Sequence, residues 1–276
     1  MSNAVQERVP SAGQQRPAGL ALLLLLGGCL NGYVAQFANW LMASDFGAGF
    51  TLPVSVLDLF ILWIATGCSL SSPGDRLLPI RLPEFIMSAG MLAPSSAFSW
   101  AATSFYGLTS ALRFSGAARA GSLLFSGFAA VNLWETVLIK WVSVPAGRVD
   151  AALAGNLLRL FRADAFYNGN VLGIADGHSV VLLYGCTGLF ILPKLLLFQI
   201  AAAIHRGLRW QIVLNCVAVT AAAGTFANLL RLAVMASSAR AYEALHSPIG
   251  LGLFDFSSIG IAIAVTVFAG VRDNAS

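Results

Sequence analysis

Tyr184-Gly185-Cys186-Thr187-Gly188-Leu189 opens an apolar run that continues to Ile204. A run of this length fits the hydrocarbon core of a bilayer, which takes about 20 helical residues to cross. It carries a thiol, Cys186, at its start and an ammonium, Lys194, in its middle beside Pro193. An ionisable group at that depth is costly in lipid and implies a partner or a function. The rest of the chain supports a lipid solvent. Of 276 residues, 58% are hydrophobic and 10% charged, against about 25% charged in soluble domains. Mean hydropathy is +0.79. So few charges cannot cover a water-facing surface, which excludes a soluble globular enzyme. The net charge of +4 follows from basic loops that orient a membrane protein, and it calls for no nucleic-acid partner.

Downstream of the opening run, His205-Arg206-Gly207-Leu208-Arg209 is a short basic loop, placed on the cytoplasmic side by the positive-inside rule. Residues 211–236 cross outward, residues 237–256 form an outer loop, and 257–271 return to an inner tail, 272–276, that begins with Arg272. Upstream, residues 142–179 are the only long polar segment. Within it, strand-like patterns at 165–171 and 179–183 surround Asn168-Gly169-Asn170 and Asp176-Gly177, which are turn signals. This predicts a small β-rich cap on the extracytoplasmic face. Residues 120–140 form a span ending at Trp134, Lys140 and Trp141, with Glu135 near that end. Residues 85–112 are apolar but broken at Pro94-Ser95-Ser96, and the loops on both sides, 71–84 and 113–119, are basic. Proline disfavours helix before it and removes a donor, so two short helices forming a hairpin keep both basic loops on one side. Residues 53–70 give a span interrupted by Asp58, and 18–43 the first span. Leu26-Gly27-Gly28-Cys29 resembles a lipobox, but the apolar run continues to Trp40, so the segment reads as a retained helix. Residues 1–17 read as a polar, disordered leader on the cytoplasmic side. The fold expected is an all-α polytopic membrane protein: one domain over residues 18–271, with about eight spans.

This topology gathers three reactive groups at one membrane face. Cys186 falls at the outer end of its span, Arg231 five residues before the end of the next, and His246 in the loop that follows. A thiolate attacks carbonyls, and a nearby cation or histidine lowers its pKa. His246 is placed to accept the thiol proton and return one to a leaving amine. Arg231 is placed to steady the thiolate or a tetrahedral oxyanion. Each residue also has a plainer reading. Cysteines inside or at the ends of apolar runs, such as Cys29, Cys68 and Cys216, are packing residues, Arg231 alone suits a snorkelling anchor, and His246 alone suits a loop. His178, also on the outer side, is a rival base, whereas His205 falls on the inner side. Lys194 pairs with a carboxylate such as Asp58 or Glu135, and the sequence leaves the choice open. No cysteine or histidine spacing marks a metal or cofactor site.

Gly185-Cys186-Thr187-Gly188-Leu189, then Asn228-Leu229-Leu230-Arg231-Leu232, then His246 followed by Pro248 and Gly250, resembles the exosortase/archaeosortase family. The likeness is clearest over residues 150–256. It implies a polytopic bacterial or archaeal membrane protein acting as a cysteine transpeptidase at the extracytoplasmic face of the cell membrane. Its partners would be C-terminal sorting signals of exported proteins, of the PEP-CTERM type, each a short motif, a membrane helix and a basic tail. Cleavage would hand the substrate to an acceptor nucleophile. By this resemblance Cys186 is the nucleophile, Arg231 the family's arginine and His246 the third member, with no cofactor. Thr187 stands where the family usually has serine, which keeps a small hydroxyl. A second function class is a non-catalytic assembly or transport protein linked to exopolysaccharide export, with Lys194, Asp58 and Glu135 forming a polar path. Against transport, the sequence shows no inverted repeat.

The topology is checked by labelling single cysteines placed in a cysteine-free background. Positions Asn168 and Ser247 are expected to react from outside, and Gly207 and Ser72 from inside. Outside labelling at Ser72 removes the hairpin at Pro94, and cytoplasmic-only labelling at Asn168 removes the outer site.

Overall fold

The computed structural model describes residues 18–43, 54–71, 82–175 and 177–275. The leader at 1–17, the loop around Asp45 and Gly47, most of the basic loop at 71–84, and Asp176 lie outside the described residues.

The chain is predominantly helical, with one three-stranded sheet. The helices are α1 (Ala18–Ala43), α2 (Val56–Leu70), α3 (Leu82–Met91), α4 (Ser96–Ala111), α5 (Gly116–Leu133), α6 (Ile139–Arg159), α7 (Gly188–His205), α8 (Trp210–Ser237), α9 (Ala239–His246) and α10 (Pro248–Ala275). A π-helical turn, Trp134–Leu138, joins α5 to α6 without a break. Five helical segments are long and apolar enough to cross a membrane: Leu20–Ala38, Gly116–Arg159, Gly188–His205, Trp210–Ser237 and Ile249–Arg272. Helices occur at all eight positions where spans were expected, but α2, α3 and α4 fall short of that length.

The break near Pro94 is real, and its backbone is satisfied in a way lipid demands. α3 and α4 pack on each other as a hairpin. A helix end leaves carbonyls without partners, which is costly where no water reaches. Asn31 of α1 donates from Nδ2 to the carbonyls of Met91 and Ala93, at 2.7 and 2.8 Å. Ser99 Oγ donates to the carbonyls of Gly28 and Met91, at 2.8 and 2.9 Å. Gly32 lets α4 come this near: a Cβ there would stand 2.6 Å from the Trp100 ring. Trp100 in turn meets Tyr33 edge-on at 5.1 Å and Phe128 at 5.9 Å, in the core formed by α1, α2, α4, α5 and α7. Cys29 is buried within this core, inside an unbroken α1, so the lipobox-like stretch is helix interior.

Three expectations are corrected. The segment 142–179, read as a polar stretch holding a small β-rich cap, begins as helix, since α6 continues to Arg159. The 44-residue unit Gly116–Arg159 is about 66 Å long at 1.5 Å per residue, twice a hydrocarbon core. The sheet packs against its C-terminal part. Gly147, Ala151, Ala154, Gly155 and Leu158 are buried along one side of it. A Cβ at Gly155 would stand 2.7 Å from the Tyr167 ring. Small residues let the backbones approach but carry little hydrophobic signal, so periodicity missed the helix. Second, residues 237–256 are helical: α9 follows Ser238, whose hydroxyl accepts from Ala241 N at 3.2 Å, and α10 already begins at Pro248. Third, Cys186 precedes its helix. It ends a 3₁₀ turn, Tyr184–Cys186, with Thr187 as N-cap of α7. The sheet itself matches its turn signals. Strands β1 (Ala165–Asn168), β2 (Val171–Ile174) and β3 (Ser179–Val181) are antiparallel in that order, with Asn168 opposite Val171 around Gly169 at φ +60°.

Lys194 has both expected partners. Its Nζ lies 3.1 Å from Glu135 on the π-helical turn and 3.3 Å from Asp58 on α2. Replacing Lys194 by Met strands two buried carboxylates, and breaking a buried pair from one side costs about 3–5 kcal/mol. The thermal midpoint of purified Lys194→Met is expected to fall sharply. It should recover in the triple variant Lys194→Met/Asp58→Asn/Glu135→Gln. An unchanged midpoint in the single variant would show that the cluster bears no load.

Candidate active site

α7 and α8 are antiparallel neighbours joined by residues 206–209, so the start of α7 and the end of α8 share one end of the bundle. Cys186 and Arg231 therefore lie at the same end, and α9 with His246 continues from it. The thiol is buried, 8% exposed, in a small core formed by α6, the sheet and α8. Its backbone is tightly held: Cys186 N–H donates to Leu183 O at 2.9 Å, and Asn228 Nδ2 donates to Cys186 O at 3.2 Å.

The first turn of α7 is fixed by Asp150, which the sequence reading did not single out, and by Trp134, which it read only as the end of a span. Asp150 on α6 accepts from Gly188 N–H at 2.8 Å, capping the helix in place of Thr187. Trp134 Nε1 donates to Leu189 O at 2.9 Å. A carboxylate on the free N–H groups of a helix start is favoured by both hydrogen bonding and the helix dipole. Asp150 could have been suspected only by recognising α6 as helix.

Arg231 sits one turn beyond Asn228 on α8. It is 7% exposed, its Cζ lies 4.8 Å from the centre of the Phe254 ring, and its buried Nε has no hydrogen-bond partner. A guanidinium in apolar surroundings without a hydrogen-bonded carboxylate is expensive. Its open side borders a cavity of about 480 Å³ lined also by Gly185, Ser55, Phe190, Phe254 and Asp255. The cavity lies between the start of α2, the start of α7 and the upper part of α10, and is mainly apolar with one cation and one acid on its wall.

The histidines are arranged differently from the expectation. His246 is exposed at the end of α9 and stacks on Tyr242, with ring centres 4.9 Å apart. His178, between β2 and β3, approaches the same Tyr242 ring, with centres 5.6 Å apart, and its buried Nε2 has no hydrogen-bond partner. Among the described residues neither imidazole is hydrogen-bonded to Cys186. Tyr242, which both rings approach, packs against the core that contains Cys186. Nothing in the spacing of Tyr242 announced this.

Burial pushes the Cys186 thiol above its ordinary pKa, while the charge of Arg231 pulls the other way and is outweighed. The resting group is therefore a neutral thiol at pH 7. The sign for pH follows. Thiolate, the reactive form, grows as pH rises toward the raised pKa, so alkylation of Cys186 by a small maleimide is slow at pH 7 and accelerates above pH 9. Arg231→Leu removes the opposing charge and should move the profile to higher pH still. A profile that moves to lower pH, or does not move, breaks the coupling of Arg231 to the thiol.

No group of three or more metal-ligating side chains occurs among the described residues. Compared with protein-family models, curated proteins and solved structures, the chain matches none.

Proposed function

We propose that this protein is a membrane cysteine peptidase or transpeptidase with Cys186 as nucleophile and Arg231 as oxyanion ligand. The observation that carries the reading is the buried guanidinium of Arg231, whose Nε has no hydrogen-bond partner, on the wall of a mainly apolar cavity that reaches Gly185, the neighbour of the thiol. Such a donor is suited to a charge that develops only during reaction. In this mechanism a base takes the thiol proton and Sγ bonds to the substrate carbonyl carbon. The carbonyl oxygen becomes an oxyanion facing Arg231. Collapse breaks the C–N bond, and the amine leaves with the proton from the base. The acyl-thioester is then opened by water or by an amine acceptor. His246 is the proposed base, working from beyond Tyr242, with His178 the alternative. The substrate is an extended, apolar peptide next to a membrane helix, in keeping with the C-terminal sorting signals that the sequence resemblance implies. In this reading eight segments cross the inner membrane of a bacterial cell, the α3–α4 hairpin included, and the cavity faces the extracytoplasmic side.

Transport along Lys194, Asp58 and Glu135 is the competing function. The mutual pairing of those three groups makes them a closed tie and argues for a structural role.

The test is processing of a candidate substrate bearing a C-terminal motif, membrane helix and basic tail. Cys186→Ala should abolish it while the protein stays folded. His246→Ala should lose about 10²–10⁴-fold, the usual contribution of a general base, and His178→Ala little. Arg231→Ala should lose about 10²–10³-fold. Unchanged processing in Cys186→Ala refutes the enzyme, and the reverse ranking of the histidines moves the base to His178.

A further inference from the structure

At the opposite end of the α8–α10 pair lies a second cavity, of about 540 Å³. Arg209, the N-cap of α8, and Arg272, in the last turn of α10, line it. Moving from these two cations toward the middle of the bundle, the walls become mainly apolar, with Ile212 and Val219 from α8 and Phe268 and Val265 from α10, Asn215 being the one polar side chain among them. At 1.5 Å per residue the apolar part reaches about 10–15 Å from the arginines along each helix. Arg206 is also at this end of α10, its Nη2 being 3.7 Å from where a Cβ of Gly270 would stand, but it does not line the cavity. Trp210, exposed next to Arg209, belongs to the type of residue that marks a membrane–water interface.

We propose that this cavity is a binding site for an anionic phospholipid, with the phosphate between Arg209 and Arg272 and an acyl chain against Val219, Val265 and Phe268. The order of chemistry along the cavity, cations first and hydrocarbon walls after, is that of a phospholipid read from headgroup to tail. A free inorganic phosphate would leave the apolar walls uncovered, and a zwitterionic lipid would bring its own cation to a mouth already carrying two. Basic pockets between membrane helices take anionic headgroups for this reason. The site is independent of Cys186, which lies at the other end of α8.

The test uses the purified full-length protein in detergent, with phosphatidylglycerol and phosphatidylcholine of identical acyl chains. Binding is read by native mass spectrometry and by thermal midpoint. Phosphatidylglycerol should be retained and should stabilise more than phosphatidylcholine. Removing each cation should weaken binding about fivefold, and Arg209→Gln/Arg272→Gln about thirtyfold, at ~1 kcal/mol per cation. Val219→Trp keeps the cations but fills the apolar wall, and should also lose the lipid. Should the double variant melt early without lipid, Arg272→Gln alone, at the exposed end of α10, carries the test through its fivefold loss. Equal stabilisation by the two lipids overturns the proposal. So does retained phosphatidylglycerol preference in the arginine variants, or undiminished binding in Val219→Trp. Stabilisation by inorganic phosphate alone to the same extent assigns the site to a free anion and also overturns it.

Discussion

A single ammonium in an apolar interior organises the upper half of this molecule. Lys194 could not stay charged in hydrocarbon unpaired, and its two partners come from two other elements: Asp58 from α2 and Glu135 from the π-helical turn between α5 and α6. Asp58 is fully buried and does double duty. Its Oδ2 accepts from Ser55 N–H at 2.8 Å, while Ser55 Oγ accepts from Asp58 N–H at 3.2 Å, so the carboxylate also closes the capping box that starts α2. The contact of Oδ1 with Lys194 at 3.3 Å is ionic, without the direction of a hydrogen bond. A buried ion pair adds little net stability over a well-packed apolar alternative. What it fixes here is register. The start of α2, which supplies Ser55 to one wall of the reactive-end cavity, is tied to α7, whose preceding turn supplies Gly185 to another.

The same logic explains the π-helical turn. One extra residue in the turn re-aims the side chains that follow it, and such turns recur at functional sites. Here it carries both Trp134, which holds the first turn of α7 through Leu189 O, and Glu135, which holds Lys194 about one and a half turns further along α7. Asp150 completes the grip at Gly188. Three contacts from one continuous helix thus position the segment that follows Cys186.

Much of this was legible in the sequence, and what was not has physical causes. Pro94 between two basic loops gave the hairpin, and Asn168-Gly169-Asn170 gave the turn between β1 and β2. The alternation of spans put Cys186 and Arg231 at one end. The continuation of helix to Arg159 was hidden because its buried side is built from glycine and alanine, whose value is close approach instead of hydrophobicity. With that helix unseen, Asp150 had no reason to be near Gly188. The polar loop after α8 was likewise read without α9, so the stacking of Tyr242 on His246 had no basis. Lys194 raised the right question and named the right carboxylates, yet sequence could not reveal that it takes both. The placement of Cys186 one residue ahead of its N-cap matters most. It puts the thiol in a rigid turn with its backbone groups used, in a setting where burial outweighs the cation.

α8 links the two ends of the molecule and shows why they differ. Arg209 and Arg231 lie about 33 Å apart along it, close to the ~30 Å thickness of a hydrocarbon core. Between them, Thr220 donates to Gln199 of α7 at 3.0 Å, and Gln199 donates to Thr266 of α10 at 2.9 Å, all three buried. This closed triad fastens α7, α8 and α10 at mid-depth, where unsatisfied polar groups are least tolerable. Away from it the α8–α10 seam is free to part, and a cavity opens toward each end. At one end the arginine is buried and its Nε lacks a partner, the condition for stabilising a transient charge. At the other the arginines are exposed at the mouth of a greasy slot, the condition for holding a permanent one. Two cations a bilayer's thickness apart on one helix are thus placed in opposite environments, and burial, more than residue type, separates the chemistry each can support.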